Sequence, residues 1–299
     1  MEAGKFRSFL MLLTLAGATM ACSISIPGLS VRPDFIPGFE SFHTGEEQEE
    51  EILVEAREDI VDLNLGFGAG RLTIIPGGEA LVSGTVRYNV EELAPVLTES
   101  DNRVSLTTGD LDLHTIPTNI DGDVINEWQL TLGPSKMNLN MDLGAAAADI
   151  DLGGLALRNL TMDVGAADFS LDFSAQNTVE MDLLDLQCGA ASVDLLNLAN
   201  ANARTISINA AAGDYNLDFS GTLSPVRDLY AELNVAAGHL RIVVPEEAAV
   251  ELTIDGALMD VDTYGSWERE GNVYTRDGQA GMIQLKVNAG AGQVEVYVD

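Results

Sequence analysis

Residues 163–173 read Asp-Val-Gly-Ala-Ala-Asp-Phe-Ser-Leu-Asp-Phe, and residues 209–219 repeat this pattern as Asn-Ala-Ala-Ala-Gly-Asp-Tyr-Asn-Leu-Asp-Phe. Shorter copies of the pattern occupy residues 142–146, 187–191 and 234–240. The small-residue triplets of the five copies begin at residues 144, 165, 189, 211 and 236, which gives spacings of 21, 24, 22 and 25 residues. A self-similar period of about 20 to 30 residues is typical of a solenoid, in which one structural unit stacks on copies of itself.

Each copy carries two short segments in which apolar and polar residues alternate, one on either side of the small-residue triplet. Ile206 and Ile208 precede the triplet of the fourth copy, and Tyr215, Leu217 and Phe219 follow it. Alternation with a period of two predicts a strand with one buried face. No segment after residue 30 shows a sustained helical pattern, so the sequence predicts an all-β fold.

The Gly/Ala triplets are interpreted as the corners of a coil. Strands of neighbouring coils lie about 4.8 Å apart, so side chains at a corner must be small, and glycine also adopts the positive φ that a sharp corner requires. We therefore predict a single-stranded β-helix (β-solenoid) with coils of about 21–25 residues. The predicted structural corners are Gly144, Gly165, Gly189, Gly213 and Gly238.

The pattern also predicts how the chain is divided. The β-solenoid domain is expected over residues 52–299, with N-terminal strands at 52–135 and regular repeats at 136–256. Residues 257–299 are expected to form capping strands, because the terminal repeats of a solenoid must protect an otherwise open edge.

The chain of 299 residues is strongly acidic, with 47 Asp and Glu against 15 Lys and Arg and a formal net charge of −32. Such a surface repels nucleic-acid phosphates and anionic lipid headgroups, so neither is predicted as a partner. The charge is interpreted mainly as a solvated outer face that resists aggregation. Divalent cation binding is the alternative interpretation.

The N-terminus resembles an export signal. Lys5 and Arg7 are followed by an apolar run at residues 9–18, which is too short to span a bilayer as a helix. The run ends in Thr-Met-Ala-Cys-Ser at residues 19–23, so a signal peptide is predicted for residues 1–21.

Two kinds of processing fit the cleavage site. A cysteine directly after the cut is typical of a bacterial lipobox and predicts lipidation of Cys22, although Thr19 stands where a lipobox usually has Leu. Ordinary signal peptidase cleavage after Ala21, followed by secretion, is the alternative. Two or three acyl chains would hold the protein firmly at a membrane.

Residues 22–51 are predicted to be a flexible acidic tether. Pro27, Pro33 and Pro37 interrupt any regular element, and the acidic run at residues 46–51 repels itself and favours an extended chain. A spacer that lifts the domain off a surface fits this composition, and so does a plain disordered leader.

The run Ser-Gly-x-Val-x-Tyr-Asn-Val-x-Glu-Leu-x-Pro at residues 83–95 resembles the N-terminal part of the bacterial toast-rack domain. Asn-Glu-Trp at 126–128, Leu-x-Met-Asp-Leu-Gly-Ala at 139–145 and the later Gly-Ala repeats follow in the same order, so the resemblance covers about residues 52–299. The family is similar to putative-adhesin β-solenoids and to the C-terminal region of cell-wall-active antibiotics response proteins. The resemblance implies a right-handed β-helix displayed at the cell envelope, and it implies no catalytic or binding residues.

The sequence contains no constellation typical of an enzyme. His43, His114 and His239 are far apart, and the chain has no Gly-x-Ser-x-Gly elbow, phosphate-binding glycine loop or His-Glu-x-x-His motif. Cys188 stands where the other copies carry Leu, Val or Ala, and it is interpreted as a buried core thiol. We therefore predict no catalytic residue, no cofactor and no enzymatic activity. A carbohydrate-active enzyme with paired carboxylates is kept only as an alternative.

The most regular polar feature is a ladder of outward acids. Stacked coils are expected to bring Asp172 and Asp218 close together on one face, and close carboxylates attract a hard cation such as calcium. No metal site is predicted, and these two residues are retained as the calcium candidates. The ladder comprises Asp149, Asp151, Asp168, Asp172, Asp194, Asp214 and Asp218.

The sequence as a whole predicts a non-enzymatic protein at the outer face of the cell membrane, anchored by a lipid on Cys22 or alternatively secreted. An adhesive, scaffolding or envelope-stress-sensing role is expected, with an envelope protein or a cell-wall polymer as partner. The alternative is a secreted module that binds divalent cations or a cell-wall glycan.

Overall fold

A computed structural model describes residues 44–109 and 124–299 of the chain. The predicted signal peptide, Cys22, residues 22–43 of the predicted tether, His43 and His114 lie outside the described residues. The described residues belong to one compact unit.

The described residues are almost entirely β-structure. Short 3-10 helices occur at Glu91–Leu93 and Leu198–Ala201. In chain order, the strands within the described ranges are β1 (Gln48–Val54), β2 (Val61–Pro76), β3 (Val82–Tyr88), β4 (Pro95–Ser100), β5 (Arg103–Thr108), β6 (Asn126–Leu132), β7 (Lys136–Asp151), β8 (Ala156–Asp172), β9 (Met181–Leu196), β10 (Ala203–Asp218), β11 (Leu229–Val244), β12 (Ala249–Thr263), β13 (Glu268–Glu270), β14 (Val273–Arg276) and β15 (Met282–Val298).

Long parallel strands form the body of the fold, and each supplies one layer. In the described part of the chain, they stack in the order β2-β7-β8-β9-β10-β11-β15-β12. This arrangement confirms the predicted all-β solenoid.

The register places equivalent apolar side chains on top of one another. Leu63, Leu139, Leu160, Leu184 and Ile206 follow one another through five successive layers, and each is 0% exposed. Such columns form a continuous core that no single coil could bury by itself. Since parallel pairing fixes each residue against its equivalent in the next coil, the sequence repeat sets the register.

The small-residue triplets lie in the middle of the long strands. At the triplet, the alternation of buried and exposed residues shifts by one position. In β9 the buried positions are Leu184, Leu186 and Cys188 before the triplet, Ala191 as its last residue, and Val193 after it. The alternation therefore shifts by one residue at the triplet while the ladder to the next strand continues on both sides. This shift is what a corner requires, because the strand must turn there and keep its apolar side chains inward.

The predicted corner glycines occupy two positions of the corner. At Gly144, Gly165 and Gly189, a Cβ atom would lie 2.2, 2.9 and 2.5 Å from the carbonyl oxygen of the coil beneath. Gly213 and Gly238 lie two positions later in the corner, where the backbone has φ of +151° and +150°. At Gly213 a Cβ would lie only 1.8 Å from the carbonyl oxygen of Ala191.

The N-terminal end of the stack is closed by short strands from two parts of the chain. β5 pairs with the first half of β2, and β6 pairs with its second half, so two strands share one layer. β3 continues from β6 and β1 from β3, both antiparallel. Trp128 of β6 packs edge-on against Phe67, with ring centroids 5.3 Å apart, and anchors this layer to the first corner.

The domain begins earlier than predicted, because the last residues of the predicted tether form part of a strand. The acidic run belongs to β1 from Gln48 onward, whereas flexible chain was expected through residue 51. Partners on β3 hold the run in place: Arg87 donates to Glu47, and the Tyr88 hydroxyl donates to Glu50. The hydrogen bond to Glu50 is the main reason that the pKa of Tyr88 is raised to about 12. The charge repulsion within the run is offset by these contacts across the strand pair.

The C-terminal strands do not cap the stack in the expected way. β15 was predicted to close the end, but it lies between β11 and β12, parallel to both. The corner of β15 keeps the small sequence Ala-Gly-Ala-Gly at residues 289–292, which fits between two layers. The corner of β12 carries Leu258 and Met259, so β12 takes the outer position. The hairpin of β13 and β14 covers only residues 250–253 of β12.

Cys188 is part of the core. It is 7% exposed and lies in register between Val164 of β8 and Ala210 of β10. Burial raises the pKa of the Cys188 thiol to about 12, and a buried thiol of this kind behaves as a small apolar group.

We expect Gly213→Ala to lower the free energy of unfolding by about 2–3 kcal/mol, because the new Cβ collides with the Ala191 carbonyl and the backbone conformation becomes strained. Ala212→Gly is the matched control in the same corner, with an expected cost of about 0.5–1 kcal/mol. Denaturant unfolding followed by circular dichroism measures both. Equal losses in the two variants would contradict close stacking at this corner.

In a Cys22→Ser chain, Cys188 is the remaining cysteine and reports on its own burial. We expect slow alkylation by iodoacetamide at pH 9, because the raised pKa leaves the thiol protonated where an ordinary thiol of pKa about 8.5 is mostly ionised. The same chain in guanidinium serves as the control and should react at the rate of a free thiol. Similar rates in the folded and unfolded chain would show that Cys188 is accessible.

Candidate functional site

The outward side chains form columns that run from coil to coil. Near the N-terminal end, the Asn138 amide donates to Asp62 at 2.8 Å, and the Asn159 amide donates to Asn138 at 2.9 Å. In a second column, Asn140 donates to Asn64 at 3.0 Å. An amide that uses one N–H and one lone pair within the column keeps another of each for a ligand. The polar face is therefore both ordered and able to form further hydrogen bonds.

A third amide column follows the corners toward the C-terminal end. Asn234 donates to Asn209 at 3.0 Å, and Asn288 donates to Asn234 at 2.8 Å. A shallow open groove of about 600 Å³ runs beside this column, with Ala211 and Ala236 among its lining residues. The groove suits contact with an extended polymer better than enclosure of a small molecule.

Two columns on the second half of the coils contain acids that are spaced by neutral residues. Asp149 and Asp194 belong to one column and are separated by Ser170 in the layer between them. In the neighbouring column, Ser192 separates Asp168 from Asp214. Like charges in these columns are thus two layers apart, about 10 Å at the usual strand spacing. Their mutual repulsion is weak at physiological ionic strength.

Asp142 and Asp163 are an exception, because they are paired in adjacent coils just before the corner. Partial desolvation, with a smaller contribution from the charge of Asp163, raises the pKa of Asp142. The next residue of the column, Gln187, is neutral. Within this column, the repulsion between acids is therefore confined to one pair of layers.

The calcium candidates Asp172 and Asp218 are not brought together. They lie in β8 and β10, and β9 with Leu196 occupies the layer between them. Each has its own hydrogen bond: Asp172 accepts from the Asn197 amide at 2.7 Å, and Asp218 accepts from the Ser220 backbone at 2.8 Å. The expectation of proximity was wrong because every repeat fills one layer, so residues from alternate repeats cannot be neighbours.

The bond to Asp218 stabilises the turn that leaves β10. Asp151 likewise accepts from the Gly153 backbone at 2.8 Å and from the Ser174 hydroxyl at 2.6 Å. Such bonds from a carboxylate to a backbone N–H two residues later are typical of Asx turns. Within the described ranges, no group of three or more His, Cys, Asp or Glu side chains is arranged to hold a metal ion.

A cluster at the C-terminal coils was not singled out from the sequence. The rings of Tyr264 and Tyr297 stack with centroids 4.5 Å apart, and Arg241 lies over Tyr297 at 4.7 Å. Glu295 accepts from the Tyr297 hydroxyl at 3.3 Å and lies 3.2 Å from His239. The ring faces of Tyr297 are taken by Tyr264 and Arg241, so the cluster ties three coils together. Sequence alternation shows these residues as outward, but their contacts depend on the unexpected position of β15.

Some cations of the described residues form ion pairs across coils. Lys286 Nζ lies 2.9 Å from Glu232 Oε1, and this contact lowers the pKa of Glu232. Arg158 pairs with Asp182 at 3.0 Å. These exposed pairs each contribute little to stability. Acids outnumber cations in the chain, so the surface has an excess of negative charge.

Among the residues that the structure describes, no helix is long and apolar enough to cross a membrane.

Three solved structures are similar to this chain at low sequence identity. A putative cell adhesion protein of Clostridium sporogenes has 19% identity, with 85% of this chain and 100% of that chain covered and a TM-score of 0.43. A putative adhesin of Bacteroides fragilis has 10% identity, with 86% of this chain and 100% of that chain covered and a TM-score of 0.39. A putative lipid binding protein of Parabacteroides distasonis has 11% identity, with 86% of this chain and 99% of that chain covered and a TM-score of 0.41.

No protein with a curated description matches the chain. The sequence model of the N-terminal domain of toast_rack, DUF2154, matches residues 42–195. This range holds the closed N-terminal end, whose motif residues bind the two parts of the chain: Asn89 Oδ1 accepts from the Ile125 backbone at 2.8 Å, and the Asn126 amide donates to the Ala69 carbonyl at 2.6 Å. Since the match extends over more than half of the chain, the protein belongs to the toast_rack family.

Proposed function

We propose that the protein is exported, is held at the outer face of the cell membrane by a lipid on Cys22, and acts there as a non-enzymatic adhesive or scaffolding protein. The observation that carries the proposal is the uninterrupted stack of parallel coils, which presents long, ordered polar faces. An extended rigid face makes many weak contacts with a macromolecule or a polymer, which suits attachment better than turnover of a small substrate.

The chemistry of the described surface supports a binding role. Its amides are fixed in columns by hydrogen bonds of 2.8–3.0 Å, and little side-chain entropy is lost when they bind a partner. The buried thiol of Cys188 is protonated at neutral pH, and it is not a nucleophile. A sensory role in envelope stress is a variant of the same proposal, in which the partner is an envelope protein.

The second candidate function is binding of a cell-wall glycan. Asn64, Asn138, Asn140 and Asn159 border one open groove of about 540 Å³ together with Arg103 and an acid. Amides with free donors and acceptors suit sugar hydroxyls. Divalent cation binding belongs to the same alternative, and Asp142 with Asp163 is the acidic pair in adjacent layers nearest to a corner.

The lipid anchor has a direct test. We expect radiolabelled palmitate to label the wild-type chain in growing cells and to leave Cys22→Ser unlabelled, because the acyl chains depend on this thiol. Cys188→Ala is the matched control and should be labelled normally. Equal labelling of wild type and Cys22→Ser would contradict the anchor, and recovery of the wild-type chain in the medium would favour the secreted alternative.

The adhesive role has a test in cells that lack the gene. We expect such cells to attach less well to surfaces and to each other, with attachment restored by the wild-type chain and not by Cys22→Ser. Normal attachment of the deleted cells would contradict the proposal. If purified protein then sediments with isolated cell-wall sacculi, the glycan-binding alternative is favoured.

A further inference from the structure

The outer layer of the C-terminal end has a free backbone edge. Residues 255–263 of β12 pair with β15 on one side, from Asp255 against Asn288 to Thr263 against Val296. On the other side, β14 reaches only residues 250–253, and the Ile254 backbone N–H donates to Asn272 at 3.0 Å. In the described part of the chain, no strand pairs with the second edge of residues 255–263.

The direction of two backbone bonds shows which groups face this edge. Ile254, which is buried, directs its N–H away from β15, and Tyr264, which points outward, directs its N–H to Val296 of β15. Since successive residues of a strand alternate in both side-chain and backbone direction, the N–H and C=O groups of Val261 and Thr263 face the free edge. They form the pattern to which a further strand bonds.

The side chain at the middle of this edge differs from every other coil. Leu258 is 76% exposed, whereas the column beneath it is filled by alanine. Leu258 therefore presents apolar surface at this edge that is available to a different chain. The alanines of the column are Ala69, Ala145, Ala166, Ala190, Ala212, Ala237 and Ala291.

The charges at the edge favour one kind of strand as its binding partner. Asp255, Asp260 and Asp262 point outward along the nine residues, and Glu295 lies beside Asp262 in the next layer. Pairing with a second copy would bring two sets of these acids to one edge, which is unfavourable. A strand with basic residues at alternate positions would instead place each cation beside an acid.

We propose that residues 255–263 are a docking site for an extended segment of another protein that carries Lys or Arg at alternate positions and adds a strand to β12. The proposal names the partner class for the scaffolding role proposed above. It rests on that role but has a separate test, because neither palmitate labelling nor cell attachment reports on this edge.

The probe is a fluorescent peptide of nine residues, the length of the edge, in which Lys alternates with Val. Its partner peptide carries Glu in place of Lys. At physiological ionic strength, we expect the Lys peptide to bind the full Cys22→Ser chain and the Glu peptide not to bind. Asp260→Lys with Asp262→Lys should weaken binding by about tenfold or more, and Leu258→Ala should weaken it less.

The matched control is Glu49→Lys with Glu51→Lys, which makes the same charge change on exposed residues of β1 at the opposite end of the sheet order. This variant should keep the affinity of the wild type. Hydrogen exchange should slow at residues 255–263 when the peptide binds, because the free N–H groups become bonded. Circular dichroism checks that each variant is folded.

The proposal is overturned by equal affinity for the Lys and Glu peptides, or by equal loss of affinity in the two charge-reversed variants. It is also overturned if the N–H groups of Val261 and Thr263 exchange slowly without peptide, or at the same rate with and without it. A dimer in sedimentation analysis that Asp260→Lys with Asp262→Lys alters would assign the edge to a second copy instead.

Discussion

The close approach of backbones at the corners is the constraint on which the rest of the structure depends. The carbonyl oxygen of one coil lies about 2–3 Å from where the next coil would place a Cβ at Gly144, Gly189 or Gly238. The coil can turn there only if the residue has no side chain or a methyl group that points outward. Once the corner is fixed, the flanking apolar residues must fall into register, and the core columns follow.

Stacking also sets the electrostatic problem that the sequence must solve. A parallel stack places every outward residue beside its equivalent in the next repeat, so an acidic repeat copied without change would align its charges at one strand spacing. The chain alternates Asp with Ser or Asn in these columns, as at Asp168, Ser192 and Asp214. Exposed acids are thereby retained for solubility while the repulsion between adjacent coils is limited.

The repeat made the fold predictable, because a period of 21–25 residues and alternating Leu, Ile and Phe are local features of the sequence. The order in which the coils stack was harder to predict from the sequence. Residues 288–292 keep the small corner pattern and residues 255–259 do not, which indicates that β15 is an inner coil, but chain order favoured the opposite assignment. The predicted proximity of Asp172 and Asp218 was wrong for a related reason. The two residues belong to alternate repeats, and the strand of the repeat between them fills the intervening layer. The free edge of β12 follows only from the pairing of whole strands.

The position of β15 has a consequence for how the protein reaches its folded state. Synthesis produces the chain from its N-terminus, and each of the coils from β7 to β11 can dock on the one that was made before it. β12 cannot complete this series, because the layer beneath it is filled by residues 282–298 at the end of the chain. β12 can therefore join the stack only together with β15, and a variant that lacks residues 282–298 would leave β12 without the layer on which it packs.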